Sequence, residues 1–247
     1  RAPGSAPIPA SLIDWYRSLG LELLEGYGMS ENFSYSHMTQ PGEVRVGYVG
    51  TPQQGCAHKI SEAGEILVKS PSTMVGYYKE PAMSAAMLTA DGFLKTGDRG
   101  EIDDKNRLRI TGRVKELFKT SKGKYVAPSP IENKLLTHTD VEQACVAGAN
   151  HPQPFGMVVL SPGARKKAAD PAAKAELEES LKAHLASINE GLDQHENLET
   201  IVVIPDEWTT ENGMLTPTMK LKRGAVEERY GKRTDEWYGM KKPVIWA

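Results

Sequence analysis

Two similar units of the sequence each place a charged side chain directly behind a Thr-Gly step: Thr96-Gly97-Asp98 and Thr111-Gly112-Arg113. A carboxylate such as that of Asp98 can accept hydrogen bonds from both hydroxyls of a ribose. The guanidinium of Arg113 can hold a sugar or phosphate oxygen. The alternative interpretation is structural: an acid in a β-turn, which is the commoner origin of an isolated Gly-Asp, and a solvated basic turn.

A third polar stretch, Tyr27-Gly28-Met29-Ser30-Glu31, follows a predicted buried strand. It would place an aromatic face, a hydroxyl and a carboxylate at the carboxyl end of that strand, where α/β sheets bind ligands. The alternative is a turn in which the Ser caps a helix.

A fourth stretch is the loop from Asn212 to Arg223, in which Lys220 follows two threonines and a Pro. A lysine on a loop can be brought to a phosphoryl centre, where it balances developing charge. The alternative is an ordinary surface lysine, because most lysines are exposed without such a role.

The composition limits what these stretches can belong to. The 247 residues allow one large or two modest domains. A formal net charge of −2 gives no electrostatic case for binding nucleic acid or an anionic membrane. Cys56 and Cys145 lie far apart, which argues against a disulfide framework or a cysteine zinc site and fits a reducing cytoplasm. No apolar run is long enough to span a bilayer.

The first part of the chain is predicted to be rich in β-strands. Residues 8–26 are predicted to form a helix that ends at Gly20, followed by a short strand. From about Val44 to Ile110 the pattern indicates strands, with one pair around a Glu-Ala-Gly turn and a hairpin around Asp-Lys-Asn. A short helix is predicted between these two strand pairs, in "PAMSAAMLTADG".

After Arg113 the pattern becomes mixed α+β. A helix is predicted with Ser129 as N-cap and Pro130 at its first position. Another is predicted to begin at the N-cap Asp170 and end near Gly191. Three strands and a last helix are predicted in the stretches "VEQACVAGA", "FGMVVLSP", "LETIVVIP" and "GAVEERYGK".

Five stretches of the chain, taken in order, resemble conserved segments of the adenylate-forming enzymes, which include acyl-CoA synthetases, peptide-synthetase adenylation domains and luciferases. They are "LLEGYGMSE", "GEILVKSPSTMVGYYKEP", "GFLKTGDRGEID", "RITGRVKELFKTSKGKYVAPSPIE" and "GMLTPTMKLKR". The sequences of the last two stretches are most similar to those of long-chain fatty acyl-CoA synthetases. The resemblance covers nearly the whole chain.

This resemblance implies a fold with both α/β and α+β parts. Residues 1–113 would be the end of a large AMP-binding domain, including a β-rich, barrel-like subdomain. Residues 114–116 would be a hinge, with Lys115 where many relatives carry Asp. Residues 117–247 would be a small, mobile α+β domain at the C-terminus.

The resemblance also assigns roles to residues around a nucleotide. Tyr27, with Gly28 beside it, would lie against the adenine, and Asp98 would hold both ribose hydroxyls with support from Arg113. The other side of the base would be lined by Gly4, Ser5, Ala6 and Pro7.

For the chemistry, the resemblance implies that Ser30 bonds phosphate or carboxylate oxygens and that Glu31 binds Mg²⁺. Lys220 would stabilise charge at the α-phosphate and the acyl carboxylate. The basic loop around Gly123, with Lys122 and Lys124, would approach the CoA channel after rotation about the hinge, although a solvated turn explains this loop equally well.

The activity so implied is ATP-dependent synthesis of acyl-CoA from a fatty acid through an acyl-adenylate, with ATP/AMP, Mg²⁺ and CoA. An acyl-AMP ligase or adenylation domain that loads a carrier protein is one alternative, and a non-catalytic nucleotide-binding or interaction module is another. The family's Gly-rich phosphate loop is absent, so we expect the chain to be the C-terminal part of a longer enzyme and to be inactive alone. A cytoplasmic location is expected, with peripheral membrane association and a homodimer left open.

Overall fold

The computed structural model describes residue 8 and residues 10–247. The chain forms two compact units, Arg1–Lys115 and Glu116–Ala247, which are called the first and second units below. The division falls between Lys115 and Glu116. Movement about Lys115 stays a prediction.

The first unit consists mainly of short antiparallel strands. Helix α1 ends where Gly20 adopts a left-handed φ of 76°, as the sequence indicates. The elements in chain order are α1 (Ala10–Ser18), β1 (Gly26–Tyr27), β2 (His37–Met38), β3 (Thr51–Pro52), β4 (Ala57–Ile60), β5 (Glu65–Lys69), α2 (Pro81–Ala86), β6 (Leu94–Ile102) and β7 (Leu108–Arg113).

These strands form a three-stranded sheet in the order β1-β2-β3 and a four-stranded sheet in the order β4-β5-β6-β7, both antiparallel. In the described residues the second sheet is an open meander rather than a closed barrel. Ile66, Val68 and Leu108 form its buried core, against which Tyr27 packs. The meander therefore carries Asp98, in the middle of β6, and Arg113, the last residue of β7.

The second unit is an α+β domain, as predicted. Its elements are β8 (Phe118–Lys119), β9 (Tyr125–Val126), α3 (Pro128–Leu135), β10 (Val141–Ala147), β11 (Phe155–Leu160), α4 (Pro162–Lys167), α5 (Pro171–Glu190), β12 (Ile201–Ile204), α6 (Arg223–Tyr230), α7 (Thr234–Met240) and β13 (Val244–Trp246).

Four of these strands form a mixed sheet in the order β10-β11-β12-β13, with β10 antiparallel at one edge. Helix α5 buries residues at i, i+4, i+8 and i+11, which makes one apolar stripe on one side of the sheet. On the other side lies a second buried cluster that includes Trp208, Val226 and Trp237. The sheet is thus covered on both faces.

Two expectations about helix α3 are corrected by the structure. The helix begins at Pro128, two residues before Pro130, and its N-cap is Ala127 without a side-chain cap bond. Ser129 lies inside the helix, where its Oγ donates to Glu116 Oε2 at 3.1 Å. The Asp170 cap of α5 is confirmed, because its carboxylate accepts from the Ala173 N–H at 2.9 Å. Among the described helices, none has the length and apolar character needed to cross a membrane.

Candidate functional site

Asp98 and Arg113 lie directly opposite each other on β6 and β7. The Arg113 Nε is 3.0 Å from Asp98 Oδ1, and the Tyr27 hydroxyl donates to Asp98 Oδ2 at 2.6 Å. Asp98 is 7% exposed. The structure therefore brings together three of the predicted nucleotide-binding residues around one nearly buried carboxylate.

Both Thr-Gly units are β-bulges. Residues Thr96 to Asp98 of β6 stand opposite the single residue Ile66 of β5, because Lys95 pairs with Leu67 and Arg99 pairs with Glu65. A bulge re-aims side chains and ends regular pairing, and it commonly lies beside a functional site. Both Thr-Gly steps thus lie at the same kind of irregularity in strand pairing, which the sequence alone did not reveal.

On β7, Thr111 is likewise an extra residue, because Arg99 pairs with Gly112 while Gly100 pairs with Ile110. This second bulge places Arg113, rather than Gly112, opposite Asp98.

The first bulge is held by side chains outside the predicted site. The Thr96 Oγ1 donates to the Ile66 carbonyl at 2.8 Å and accepts from the Asp98 N–H at 3.1 Å. The Gly97 N–H donates to Glu65 Oε1 at 2.9 Å, and Gly97 has a left-handed φ of 73°. Thr96 and Glu65 therefore position Asp98, and only Thr96 could be suspected from its place in the repeated unit.

Tyr27 serves as a hydrogen-bond donor in this cluster. Burial, together with the negative charge of Asp98 and the hydrogen bond to it, raises the pKa of the Tyr27 hydroxyl well above its usual range. The hydroxyl therefore stays protonated and keeps donating. Its ring is partly buried against the core of the meander, and its centroid is 5.9 Å from that of His37. Contact with an adenine stays a prediction.

Gly28 has a packing role. A Cβ atom at this position would lie 2.5 Å from the backbone of Ser34, so the chain can pass here only with a glycine. This close approach precedes a 3₁₀ turn over Ser30–Asn32, which presents Ser30 at the surface.

Glu31 is in the same 3₁₀ turn and has a partner that the sequence did not identify. The Tyr77 hydroxyl donates to Glu31 Oε1 at 2.7 Å, and the Glu31 carbonyl accepts from the Met74 N–H at 2.7 Å. The hydrogen bond to Glu31 raises the pKa of Tyr77. Tyr77 lies 46 residues from Glu31, and its place in "VGYYKEP" was the only signal available.

Glu31 suits a magnesium ion that is shared with a nucleotide. Among the described residues, no group of three or more His, Cys, Asp or Glu side chains could hold a metal by itself. Mg²⁺ is commonly bound by one or two carboxylates together with substrate phosphates and waters. A single carboxylate fixed by Tyr77 fits that pattern, and the metal role of Glu31 stays a prediction.

Lys220 lies in the second unit, on a tight hairpin whose base is the bridge between Leu215 and Leu221. The Thr216 N–H donates to the Lys220 carbonyl at 2.8 Å, and the Lys220 N–H donates to Thr216 Oγ1 at 3.0 Å. Met219 has a left-handed φ of 61°. The Lys220 side chain is exposed on a loop that is held at its base.

Gly123 lies in the turn between β8 and β9 with a φ of 79°, and its N–H donates to the Thr120 carbonyl at 2.9 Å. Lys122 and Lys124 on either side are exposed. Lys115 is exposed at the end of the first unit. The predicted adenine-lining residues Gly4, Ser5, Ala6 and Pro7 lie outside the described residues.

Sequence comparison with known families decides the identity of the chain. Residues 116–242 match the AMP-binding enzyme C-terminal domain, and residues 2–78 match the AMP-binding enzyme family. The chain belongs to the AMP-binding enzymes. The first of these matches covers more than half of the chain, and the resemblance to adenylate-forming enzymes is thereby confirmed.

Curated relatives of this AMP-binding chain include long-chain-fatty-acid–CoA ligases. It is 33% identical to the ligase FadD15 of Mycobacterium bovis over 247 residues, covering 95% of this chain and 41% of that protein. It is 31% identical to human long-chain-fatty-acid–CoA ligase 1 over 264 residues, covering 95% of this chain and 37% of that protein. The chain thus spans about two fifths of the length of the relatives it matches.

Solved structures similar to this AMP-binding chain include adenylation domains. One, from a Mycobacterium chelonae carboxylate reductase, matches with a TM-score of 0.78 and 26% identity, over 96% of this chain and 38% of that one. Another is the A-PCP didomain of a Segniliparus rugosus carboxylic acid reductase in complex with AMP. It has a TM-score of 0.75 and 29% identity, over 97% of this chain and 34% of that one. The mixed α/β fold expected from the sequence is confirmed.

Proposed function

We propose that this chain is the C-terminal part of an ATP-dependent acyl-CoA synthetase that acts on fatty acids. Such an enzyme joins the acid to ATP, giving an acyl-adenylate and pyrophosphate, and the thiol of CoA then displaces AMP. The observation that carries the proposal is the Tyr27–Asp98–Arg113 cluster, in a chain whose similar proteins include long-chain-fatty-acid–CoA ligases and an AMP-bound adenylation domain.

In this proposal the first unit holds the nucleoside. Tyr27 and Arg113 fix the orientation of the Asp98 carboxylate. A carboxylate accepts hydrogen bonds from hydroxyl groups, and Asp98 would bind the ribose in this way. Arg113 would support the same sugar. Tyr27 would present its ring to the adenine.

The charges of the adenylation step would be handled by three further residues. Attack of a carboxylate on an α-phosphate brings two anions together, which a positioned cation and a metal make feasible. Lys220 would be that cation, Glu31 would hold Mg²⁺, and the exposed Ser30 hydroxyl would bond phosphate or carboxylate oxygens. Mg²⁺, when bound, would neutralise phosphate charge.

The second step needs different neighbours around the same acyl carbonyl. We propose that the second unit turns about Lys115, so that Lys220 leaves the acyl group and the basic turn at Gly123 approaches CoA. Positive charge at Lys122 and Lys124 suits a nucleotide-bearing thiol. This movement is supported by the division of the chain into two compact units at Lys115.

The test is Lys220→Ala in the longer enzyme that contains this chain. We expect the rate of acyl-adenylate formation, measured by pyrophosphate exchange, to fall by about a hundredfold or more. Removing one group that stabilises transition-state charge has effects of that order. Transfer from preformed acyl-adenylate to CoA should change little. Lys222→Ala, two residues away on the same loop and also exposed, is the matched control. Unchanged adenylation in Lys220→Ala would falsify the role of this lysine.

A carrier protein instead of CoA is the second candidate acceptor. It is favoured by the likeness to the A-PCP didomain of a carboxylic acid reductase. Comparing free CoA with a carrier protein as acceptor in the longer enzyme separates the two. A non-catalytic module is the remaining alternative, and it would bind nucleotide without forming an acyl-adenylate.

A further inference from the structure

Arg223 lies at the centre of a charge cluster in the second unit that the proposed reaction does not use. Its Nη2 is 2.7 and 2.9 Å from the two carboxylate oxygens of Glu132. Its Nη1 donates to the Val146 carbonyl at 2.8 Å. The side chains of Arg223 and Glu132 are only 14% and 11% exposed. Charges so far removed from water persist only when they are paired and hydrogen-bonded.

The pair is fixed to the backbone of an edge strand. Val146 lies on β10, at the edge of the four-stranded sheet. Its N–H donates to Glu132 Oε1 at 2.7 Å, while its carbonyl accepts from Arg223. The two side chains thus supply the bonds that a further strand would make. Arg223 is therefore held in place by the sheet as well as by its ion pair.

A third group in the cluster is Glu116, the first residue of the second unit. Its Oε2 is 3.7 Å from the Arg223 Nη2 and accepts from the Ser129 hydroxyl at 3.1 Å. Glu116 directly follows Lys115 in the chain. The same guanidinium thus faces the segment by which the chain enters the unit.

Arg223 is also continuous with the Lys220 hairpin. It is the first residue of α6, three residues after Lys220. The Lys222 N–H donates to the Met214 carbonyl at 2.8 Å, which closes the base of the hairpin immediately before Arg223. Because α6 begins at Arg223 directly after this hydrogen bond, a movement of the Arg223 side chain and backbone would also move the hairpin.

We propose that Arg223 is a positioning residue for Lys220: through Glu132, Val146 and Glu116 it fixes the lysine hairpin to the entry segment of the second unit. Lys220 then keeps a set place relative to the segment that follows Lys115. This inference rests on the proposed role of Lys220 in adenylation.

The mechanical part of the inference can be tested on the 247-residue chain. In Arg223→Lys, which keeps the charge but loses the forked geometry, we expect the Lys222 and Thr216 amides to exchange hydrogen about tenfold faster. In Glu116→Gln, which removes only the charge of the partly exposed partner, we expect about a threefold increase in the exchange rate. Asp206→Asn is the matched control, because it breaks an exposed ion pair of 3.2 Å between Asp206 and Arg229 of the same helix. If Arg223→Lys does not fold, Glu116→Gln carries this test.

The functional part is tested in the longer enzyme with the same variants. We expect Arg223→Lys to lower kcat for adenylation about tenfold while KM for ATP stays within about twofold, because misplacing a reacting group by about 1 Å is costly. A merely structural role would lower stability without lowering kcat of the folded enzyme.

The outcomes can be told apart. Exchange no faster than in the Asp206→Asn control, in every variant that folds, overturns the inference. Faster exchange with unchanged adenylation, in an enzyme that Lys220→Ala inactivates, also overturns it. If Lys220→Ala itself leaves adenylation unchanged, the proposed function has failed, and the exchange result still decides whether Arg223 links the two segments.

Discussion

Asp98 and Arg113 are cross-strand partners, with Arg113 Nε 3.0 Å from Asp98 Oδ1, although one side chain is nearly buried and the other is half exposed. The buried acid is fixed, and the exposed base can adjust to a ligand. Under the proposed function, the carboxylate would set the place of a sugar and the cation would complete its binding.

The first prediction concerns this acid. We expect Asp98→Asn to weaken AMP binding at least about tenfold, because a neutral amide loses the charge-assisted hydrogen bonds of the carboxylate. The measurement is titration calorimetry of AMP into the 247-residue chain. Asp103→Asn is a close control, since Asp103 has the same 10% side-chain exposure and pairs with Arg107 at 2.7 Å in the same hairpin. Equal losses in both variants would mean a general effect on the sheet.

The second prediction concerns Tyr77 and, like the first, rests on the proposed function. Tyr77→Phe removes the hydroxyl that donates to Glu31. We expect the affinity for Mg²⁺-ATP in the longer enzyme to fall about three- to tenfold, since the carboxylate loses a partner that orients it. Tyr78→Phe, at the adjacent and 86% exposed position, should have no effect. A loss that is independent of Mg²⁺ would remove the metal role from Glu31.

The Lys220 hairpin carries a testable strain at Met219, whose φ is 61°. The left-handed conformation costs a residue other than glycine about 1–2 kcal/mol, and the added freedom of glycine in the unfolded chain offsets part of that. We expect Met219→Gly to raise the free energy of unfolding of the second unit by about 0.5–1 kcal/mol. Denaturant unfolding followed by fluorescence of Trp208 and Trp237 measures it. Met219→Ala, which keeps the strain, should show no gain.

Gly28 and Gly97 should respond differently to alanine. Gly28→Ala places a methyl group 2.5 Å from the Ser34 backbone, and we expect a cost of about 2–3 kcal/mol, since the backbone must shift. Gly97→Ala meets open space but keeps a φ of 73°, so about 1–2 kcal/mol is expected. Gly224→Ala in helix α6 is unobstructed and should be neutral or stabilising. Thermal unfolding of the three variants gives the order.

A pH prediction arises from the buried His37 and the half-buried Glu25 of the first unit, which have opposite effects on stability. Burial, with the nearby His58, lowers the pKa of His37 to about 3. The unfolded state binds a proton at this residue below about pH 6.5, so stability falls as the pH drops from there toward 3. Burial raises the pKa of Glu25 to about 7. The folded state then keeps a proton that the unfolded state loses above about pH 4.5, so stability falls as the pH rises toward 7.

Glu25→Gln separates the two effects. We expect this variant to lose up to about 1.4 kcal/mol per pH unit between about pH 6.5 and pH 5, because the His37 effect acts there before Asp91 and Asp103, whose pKa values are lowered, begin to contribute. The measurement is urea unfolding of the first unit, followed by NMR signals of its strand amides. Replacing His37 by Gln in the same background should flatten the profile. A flat profile with His37 in place would contradict its lowered pKa.

Sequence reasoning succeeded where the determinants are local. The α5 helix has an Asp cap, a Pro at its first position and apolar residues on one stripe, and all three act within a few turns of chain. It failed at Ser129: the helix begins at Pro128, and the hydroxyl that was expected to cap it donates to Glu116 instead, a contact that the local sequence does not show. Helix α7 and strand β13 were not predicted.

The candidate site shows the same difference between local features, which the sequence predicts, and contacts between distant segments, which it does not. Family motifs brought out Asp98 and Arg113, but neither the bulges nor the partners Glu65 and Tyr77 could be read from one strand at a time. Pairing register depends on two segments at once, and hydrogen bonds such as Tyr77–Glu31 join residues that are far apart in sequence.

The bulge at Thr111 determines which residue of β7 lies opposite Asp98. If β7 continued in regular pairing beyond Ile110, Asp98 would face Gly112, and Arg113 would face Gly97. One surplus residue therefore decides whether the two charges meet. Their contact reports the alignment of the two strands, and a slip by a single position would part the acid from the base without changing any side chain.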